Sequence, residues 1–173
     1  MATRGDIVDA VDAFMATPKR IVGFDSPPIW APGFNEHERV MKYPLEIEGE
    51  LRGAQLMVVS FPLQLALKFR LGILFPAMIC RLDYTDETHP NSADSVLAGR
   101  CPPIVTGPHY HSWQLNRRFF KGITRPPKLH DAVPYNDPGR TFDAILRWFC
   151  SDTRIEQLPP GHLIELPPAE TLL

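Results

Sequence analysis

Residues 43–62, YPLEIEGELRGAQLMVVSFP, decide the fold because apolar and charged side chains alternate along their first half. Leu45, Ile47 and Leu51 alternate with glutamates, and this period of two residues predicts a half-buried β-strand. The turn-forming pair Arg52-Gly53 is followed by a second apolar stretch. We therefore expect a β-hairpin whose turn lies at that pair.

Three later stretches extend this pattern. Residues 63–73, LQLALKFRLGI, and residues 77–86, AMICRLDYTD, alternate in the same way and predict the third and fourth strands of an antiparallel meander. Residues 109–119, HYHSWQLNRRF, predict a fifth strand. Residues 85–108 are expected to form a loop, and loops of that length inside a compact domain are often functional.

Helices are predicted near both ends of the chain. Apolar residues recur at helical spacing from Ile7 to Met15, and Thr17-Pro18 ends the pattern. Residues 141–150, TFDAILRWFC, predict a second helix with Thr141 or Gly139 near its cap, and residues 162–168 predict a short edge strand. The predicted fold class is α+β, with residues 1–173 forming a single domain: a curved antiparallel sheet of about five strands packed by N- and C-terminal helices.

Composition restricts the class of protein. A chain of 173 residues suits one domain, and its 19 prolines, about twice the usual frequency, place much of it in loops. A net charge of −2 gives no global basic field to attract nucleic acid. The three cysteines form no CxxC pair, and no apolar run is long enough to span a bilayer, so we expect a cytoplasmic protein without a membrane partner.

The candidate site centres on His109 and His111 in the segment GPHYHSW. On a strand, residues two apart project from the same face about 6.5–7 Å from one another. Arg81 and Asp83 have the same spacing on the preceding predicted strand, and His89 lies in the loop between the two strands. If these strands pair, one face of the sheet collects all of these side chains.

Such a set suits metal-independent cleavage of a phosphodiester. His109 and His111 would act as general base and acid, Arg81 would stabilise charge on the phosphate, and His89 would assist or orient. This hypothesis requires no cofactor. A basic and aromatic segment follows and could bind single-stranded RNA; its candidate residues are Trp113, Asn116, Arg117, Arg118 and Lys121.

Three alternatives remain open. Two histidines with His89 or Asp83 could bind a metal ion as in cupins, although the glutamate that cupins carry after the histidine pair is missing here. The protein could instead be a non-catalytic inhibitor or subunit of a complex that binds through the segment 113–120 or through proline-rich loops such as residues 23–34, where we expect Trp30 and Phe34 to anchor the loop. The histidines could also be purely structural.

The order of the motifs resembles a loosely defined set of small bacterial and prophage proteins. The set includes a family of unknown function with R-x-D, H-x-N and P-H-x-H motifs and the TumE-type toxins of toxin–antitoxin pairs. The matching residues here are Arg81, Asp83, His89, Asn91, Pro108, His109 and His111. The resemblance implies an α+β fold and a ribonuclease-like toxin from a mobile or defence locus that a protein partner neutralises.

Overall fold

The computed structural model describes residues 6–24, 27–63, 66–121, 128–136, 139–161 and 163–168. In chain order, its helices and strands are α1 (Asp6–Ala16), β1 (Arg20–Ile21), β2 (Ala31–Pro32), β3 (Arg39–Ile47), β4 (Glu50–Ser60), β5 (Phe69–Leu74), β6 (Met78–Tyr84), β7 (Thr88–Pro90), α2 (Ala93–Leu97), β8 (Ile104–Thr106), β9 (His109–His111), α3 (Trp113–Asn116), a 3-10 turn (Arg117–Phe120), β10 (Val133–Pro134) and α4 (Phe142–Asp152). The α+β class and the antiparallel sheet predicted from the sequence are confirmed.

The main sheet has the strand order β1-β3-β4-β5-β6-β9-β10, with β2 also paired to β3. The meander from β3 to β6 follows the order of the chain, as the alternating pattern predicts. β6 then pairs with β9 in antiparallel register, so that Arg81 lies opposite His111 and Asp83 lies opposite His109. The condition on which the candidate site depended is therefore met.

The turn of the first hairpin lies at Glu48-Gly49, so the prediction of Arg52-Gly53 is wrong. Both turn residues have positive φ angles, 51° and 82°, which is the conformation of a tight two-residue hairpin turn. Gly53 also has a positive φ, 75°, but it lies where the register between β3 and β4 shifts. Its backbone freedom therefore serves a bulge and not a turn.

The predicted fifth strand is also only partly correct, because β9 ends at His111. Ser112 is an N-cap whose hydroxyl accepts a hydrogen bond from the amide of Leu115 at 3.3 Å, and this contact starts α3. The expected loop 85–108 contains α2 and a two-stranded sheet of β7 and β8. Within the described residues 163–168 no strand forms.

The two terminal helices lie where the sequence predicts them. α1 buries Val8, Val11 and Phe14. α4 begins after Thr141, whose hydroxyl accepts a hydrogen bond from the amide of Ala144 at 3.3 Å. None of the helices in the described part of the chain is long and apolar enough to cross a membrane.

The apolar face of the β6–β9 pair packs against α4. Tyr110 contacts Trp148 and Phe149 edge-on, and its hydroxyl donates a hydrogen bond of 2.6 Å to Asp152. Leu82, the register partner of Tyr110, is fully buried in the same core. The opposite face of these two strands therefore remains for polar side chains.

We expect Leu82→Ala to lower the free energy of unfolding by about 2–5 kcal/mol, because it removes buried methyl groups at the centre of the sheet. Leu97→Ala is the matched control, since Leu97 is 88% exposed and its truncation is expected to change stability by no more than about 0.5 kcal/mol. Urea unfolding of both variants measures the difference. Equal stability of the two variants would contradict the packing described for β6.

Candidate functional site

The polar face of β6 and β9 carries four of the predicted site residues. Arg81 and Asp83 on β6 lie beside His111 and His109 on β9. The side chains of Asp83, His109 and His111 are 1%, 2% and 0% exposed, whereas that of Arg81 is 31% exposed. Arg81 therefore lies at the mouth of the site and the two histidines lie behind it.

His89 reaches the same place from β7. Its ring centroid lies 4.5 Å from that of His111 and 5.5 Å from that of His109. One potential ligand atom from each of the three side chains lies within 4.8 Å of the others, and His89 is the only one of the three that is not fully buried. The loop 85–108 thus supplies the third imidazole, which the sequence pattern could only place near the strand ends.

Each imidazole places one ring nitrogen against a backbone carbonyl. His109 Nδ1 lies 2.7 Å from the oxygen of Gly107, and His111 Nδ1 lies 3.0 Å from that of Asp131. His89 Nε2 lies 3.0 Å from the oxygen of His130. A carbonyl oxygen only accepts hydrogen bonds, so these three nitrogens carry protons and the remaining nitrogen of each neutral ring has a free lone pair.

The carboxylate of Asp83 connects the cluster. Its Oδ2 lies 3.2 Å from His109 Nε2 and 3.4 Å from His111 Nε2. The same oxygen accepts hydrogen bonds from Arg81 Nη2 at 2.7 Å and Arg81 Nε at 3.0 Å. Oδ1 lies 3.3 Å from Arg70 Nε in an ion pair. Burial opposes ionisation, but the hydrogen bonds from His109 and Arg81, together with the positive charge of Arg81, hold the pKa of Asp83 far below its usual value.

The protein environment shifts the pKa values of the two buried histidines in opposite directions. Burial lowers the pKa of both rings, but for His109 the hydrogen bonds to Asp83 and to the carbonyl of Gly107, with the negative charge of Asp83, together outweigh burial and raise the pKa. For His111 burial dominates and the pKa is lowered. His109 is therefore the ring that donates its Nε2 proton to Asp83, while His111 is neutral and its Nε2 accepts from Arg81 Nη2 at 3.4 Å.

A buried segment around Asp131 holds the carbonyls that orient two of the rings. Asn116 Oδ1 accepts hydrogen bonds from the amides of His130 and Asp131 at 2.8 and 3.0 Å, and Asn116 Nδ2 donates to the Asp131 oxygen at 2.8 Å. Asn91 forms a similar pair of bonds with Ala132, at 2.7 and 2.9 Å. These two amides fix residues 130–132 against the histidines.

The side chain of Asp131 anchors this segment to α2. Its Oδ1 accepts from the amide of Ser92 at 2.9 Å, and its Oδ2 accepts from the hydroxyl of Ser95 and from Arg118 Nη2, the latter at 3.2 Å. Sequence reasoning did not single out Asp131 or Ser95. No spacing connects them to the histidines, because the contacts join segments far apart in the chain.

The predicted RNA-binding segment is largely buried or paired. Trp113 is 1% exposed and its Nε1 donates to Asp12 at 2.7 Å, and Arg117 forms an ion pair with the same carboxylate. Arg118 donates to Ser92 and Ser95 at 2.7 Å, and Asn116 is fully buried. Burial removes Trp113 and Asn116 from any surface that a nucleic acid could contact, whereas Lys121 is exposed.

Comparison with known proteins adds no relatives to this description. No family model matches the sequence, no curated protein is significantly similar to it, and no solved structure matches its fold. The fold and the cluster therefore define the class: an α+β protein with a histidine-rich site on the polar face of an antiparallel sheet.

We expect Asn116→Ala to destabilise the fold, because each buried group that loses its partner costs about 1–3 kcal/mol. Asn35→Ala is the control, since Asn35 is exposed and its side chain accepts one hydrogen bond, from the amide of His37. Urea unfolding measures both variants. A variant of Asn116 as stable as the Asn35 variant would show that the 130–132 segment does not depend on this amide.

The pKa of Asp131 is lowered because hydrogen bonds from Ser95, Ser92 and Arg118 outweigh its burial. A carboxyl group whose pKa is lower in the folded state contributes stability above its unfolded pKa of about 3.9 and loses it as the pH falls further. We therefore expect stability to decline below about pH 4. Unfolding free energies at pH 6, 4 and 3 test this, and Asp131→Asn should be less stable at pH 6 but lose less between pH 6 and pH 3.

Proposed function

We propose that this protein is a nuclease-like enzyme that cleaves phosphodiester bonds, with RNA as its substrate. The observation that carries the proposal is the convergence of three imidazoles beneath the partly exposed guanidinium of Arg81. A guanidinium binds phosphate oxygens through paired hydrogen bonds, and imidazoles activate a water or hydroxyl nucleophile.

The exposure of each side chain indicates whether it can contact a substrate directly. Arg81 and His89 lie at the accessible side, where they can meet the phosphate. His109 and His111 are buried, so they can act on a macromolecular substrate only through a group that lies between them and the phosphate. Direct proton transfer from the pair, as the sequence predicts, fits this burial less well than an indirect role.

The resemblance to toxins supports a cytoplasmic role in which a protein partner controls the activity.

A separate surface favours a second candidate function, a non-catalytic binding protein. Ile29 is 86% exposed and Phe34 is fully exposed, so Phe34 does not anchor its loop as the sequence predicts. Both residues line a groove of about 460 Å³ with Val40 and Met57, which suits an apolar segment of a partner such as an antitoxin.

The test is incubation of purified protein with an RNA pool and a DNA pool. We expect the wild type to cleave RNA and Arg81→Gln to be slower by about 10²–10³-fold, because a charge-stabilising donor is lost from the transition state. His37→Ala is the matched control, since His37 is exposed and outside the cluster. All variants are compared after their melting temperatures are shown to be equal.

Two outcomes would count against the nuclease proposal. The first is the absence of cleavage of either pool by folded wild-type protein. The second is cleavage that Arg81→Gln leaves unchanged. The first outcome would favour the binding role, which a Phe34→Ala variant then tests through loss of partner capture.

A further inference from the structure

We infer that His89, His109 and His111 form a binding site for one divalent transition-metal ion, with Asp83 Oδ2 as the fourth ligand atom. The inference deepens the proposed function, because it names the group through which the buried histidines would act on a phosphate. It does not rest on cleavage, since metal binding is measured independently.

The orientation of the rings is the first argument. Metal-bound histidines almost always donate their other ring nitrogen to a carbonyl or carboxylate, which fixes the tautomer and directs the free lone pair at the ion. All three rings have such a carbonyl partner, at Gly107, Asp131 and His130. The nitrogens left to face an ion are therefore Nε2 of His109 and His111 and Nδ1 of His89, and Nε2 of His109 would first lose the proton that it donates to Asp83.

The spacing of the donor atoms is the second argument. Ligand atoms at about 2.0–2.2 Å from a tetrahedral ion lie about 3.3–3.6 Å from one another. Asp83 Oδ2 lies 3.2 and 3.4 Å from the Nε2 atoms of His109 and His111, close to that spacing. One ring nitrogen from each of the three histidines lies within 4.8 Å of those of the other two, so the three rings are close enough to share one ion.

The support of the ligands is the third argument. Asn116 and Asn91 fix the segment that carries two of the three carbonyl partners, and both form several hydrogen bonds to it. Outer partners of this kind commonly hold metal ligands in place, and their loss typically costs about 10–100-fold in metal affinity. The site is thus supported before any ion binds.

The donor set selects the class of ion. Three imidazoles with one carboxylate suit Zn²⁺, Fe²⁺, Co²⁺ or Ni²⁺, whereas Mg²⁺ and Ca²⁺ prefer oxygen ligands. Binding would displace the Nε2 proton that His109 shares with Asp83, because a ligand nitrogen must be deprotonated.

The guanidinium of Arg81 is expected to weaken the binding of a metal ion at this site. Its guanidinium donates two hydrogen bonds to Asp83 Oδ2 and lies 3.4 Å from His111 Nε2, so it competes for one ligand and repels a dication. Arg70 would still pair with the other oxygen of Asp83 if Arg81 were replaced. Removing the positive charge of Arg81 is therefore expected to tighten metal binding, although the same change slows cleavage of a phosphodiester.

Calorimetric titration of chelator-treated protein with Zn²⁺, and with Mg²⁺ as the control ion, tests the inference. We expect one Zn²⁺ per chain, no Mg²⁺ binding at the same concentrations and a melting temperature that rises with Zn²⁺. His89→Ala should weaken Zn²⁺ binding by more than the roughly 100-fold typical of an outer partner, while His37→Ala should not. Arg81→Gln should lower the Kd.

The half-buried His89 is the primary variant because His109→Ala and His111→Ala leave cavities in the interior. Folded wild-type protein that binds no Zn²⁺ would overturn the inference, and so would equal binding by the His89 and His37 variants. Zn²⁺ binding without cleavage of RNA or DNA would retain the site and remove the nuclease proposal. Cleavage by ion-free protein in the presence of a chelator would retain the nuclease and overturn its dependence on the ion.

Discussion

A buried carboxylate determines how this half of the molecule is built. Asp83 is 1% exposed, and an ionised carboxylate at that depth is tolerated only when it is paired and hydrogen-bonded. Arg70 and Arg81 supply two guanidiniums from the neighbouring strand and from β6 itself, while His109 and His111 face it from β9. One face of the β6–β9 pair therefore carries polar side chains, and it must be covered by segments that can form hydrogen bonds with them.

The cover is built from loops, in keeping with the many prolines of the chain. The segment around Asp131 lies over the histidines, and the loop that contains β7, α2 and β8 lies against that segment. Asn116, Asn91 and Ser95 satisfy backbone and side-chain groups that would otherwise be unpaired. Because a partly satisfied buried network costs more than an apolar core, these hydrogen bonds favour one defined geometry of the site.

The sequence predicts which residues share a face of each strand. It does not predict the contacts between distant segments that bring those strands and loops together. Strand periodicity places Arg81 with Asp83, and His109 with His111, because residues two apart share a face of any strand. It does not show that β6 pairs with β9, that Ser112 ends β9 by capping a helix, or that Gly49 rather than Gly53 forms the turn. Those outcomes depend on contacts between distant segments, and the same contacts turn the predicted RNA-binding residues Trp113 and Asn116 inward.

The burial of His109 and His111 distinguishes between the two functions that an HxH motif suggests, direct proton transfer and metal binding. A pair that exchanges protons directly with a nucleic acid must touch it, and rings that are 2% and 0% exposed do not. A pair that binds an ion needs no contact with the substrate, because an ion held by four protein ligands could accept a phosphate oxygen as a fifth ligand. Arg81, which lies at the mouth of the site, would then be the side chain that meets the phosphate. The combination of buried ligands with an accessible guanidinium is therefore easier to explain for an ion-centred site than for a proton relay.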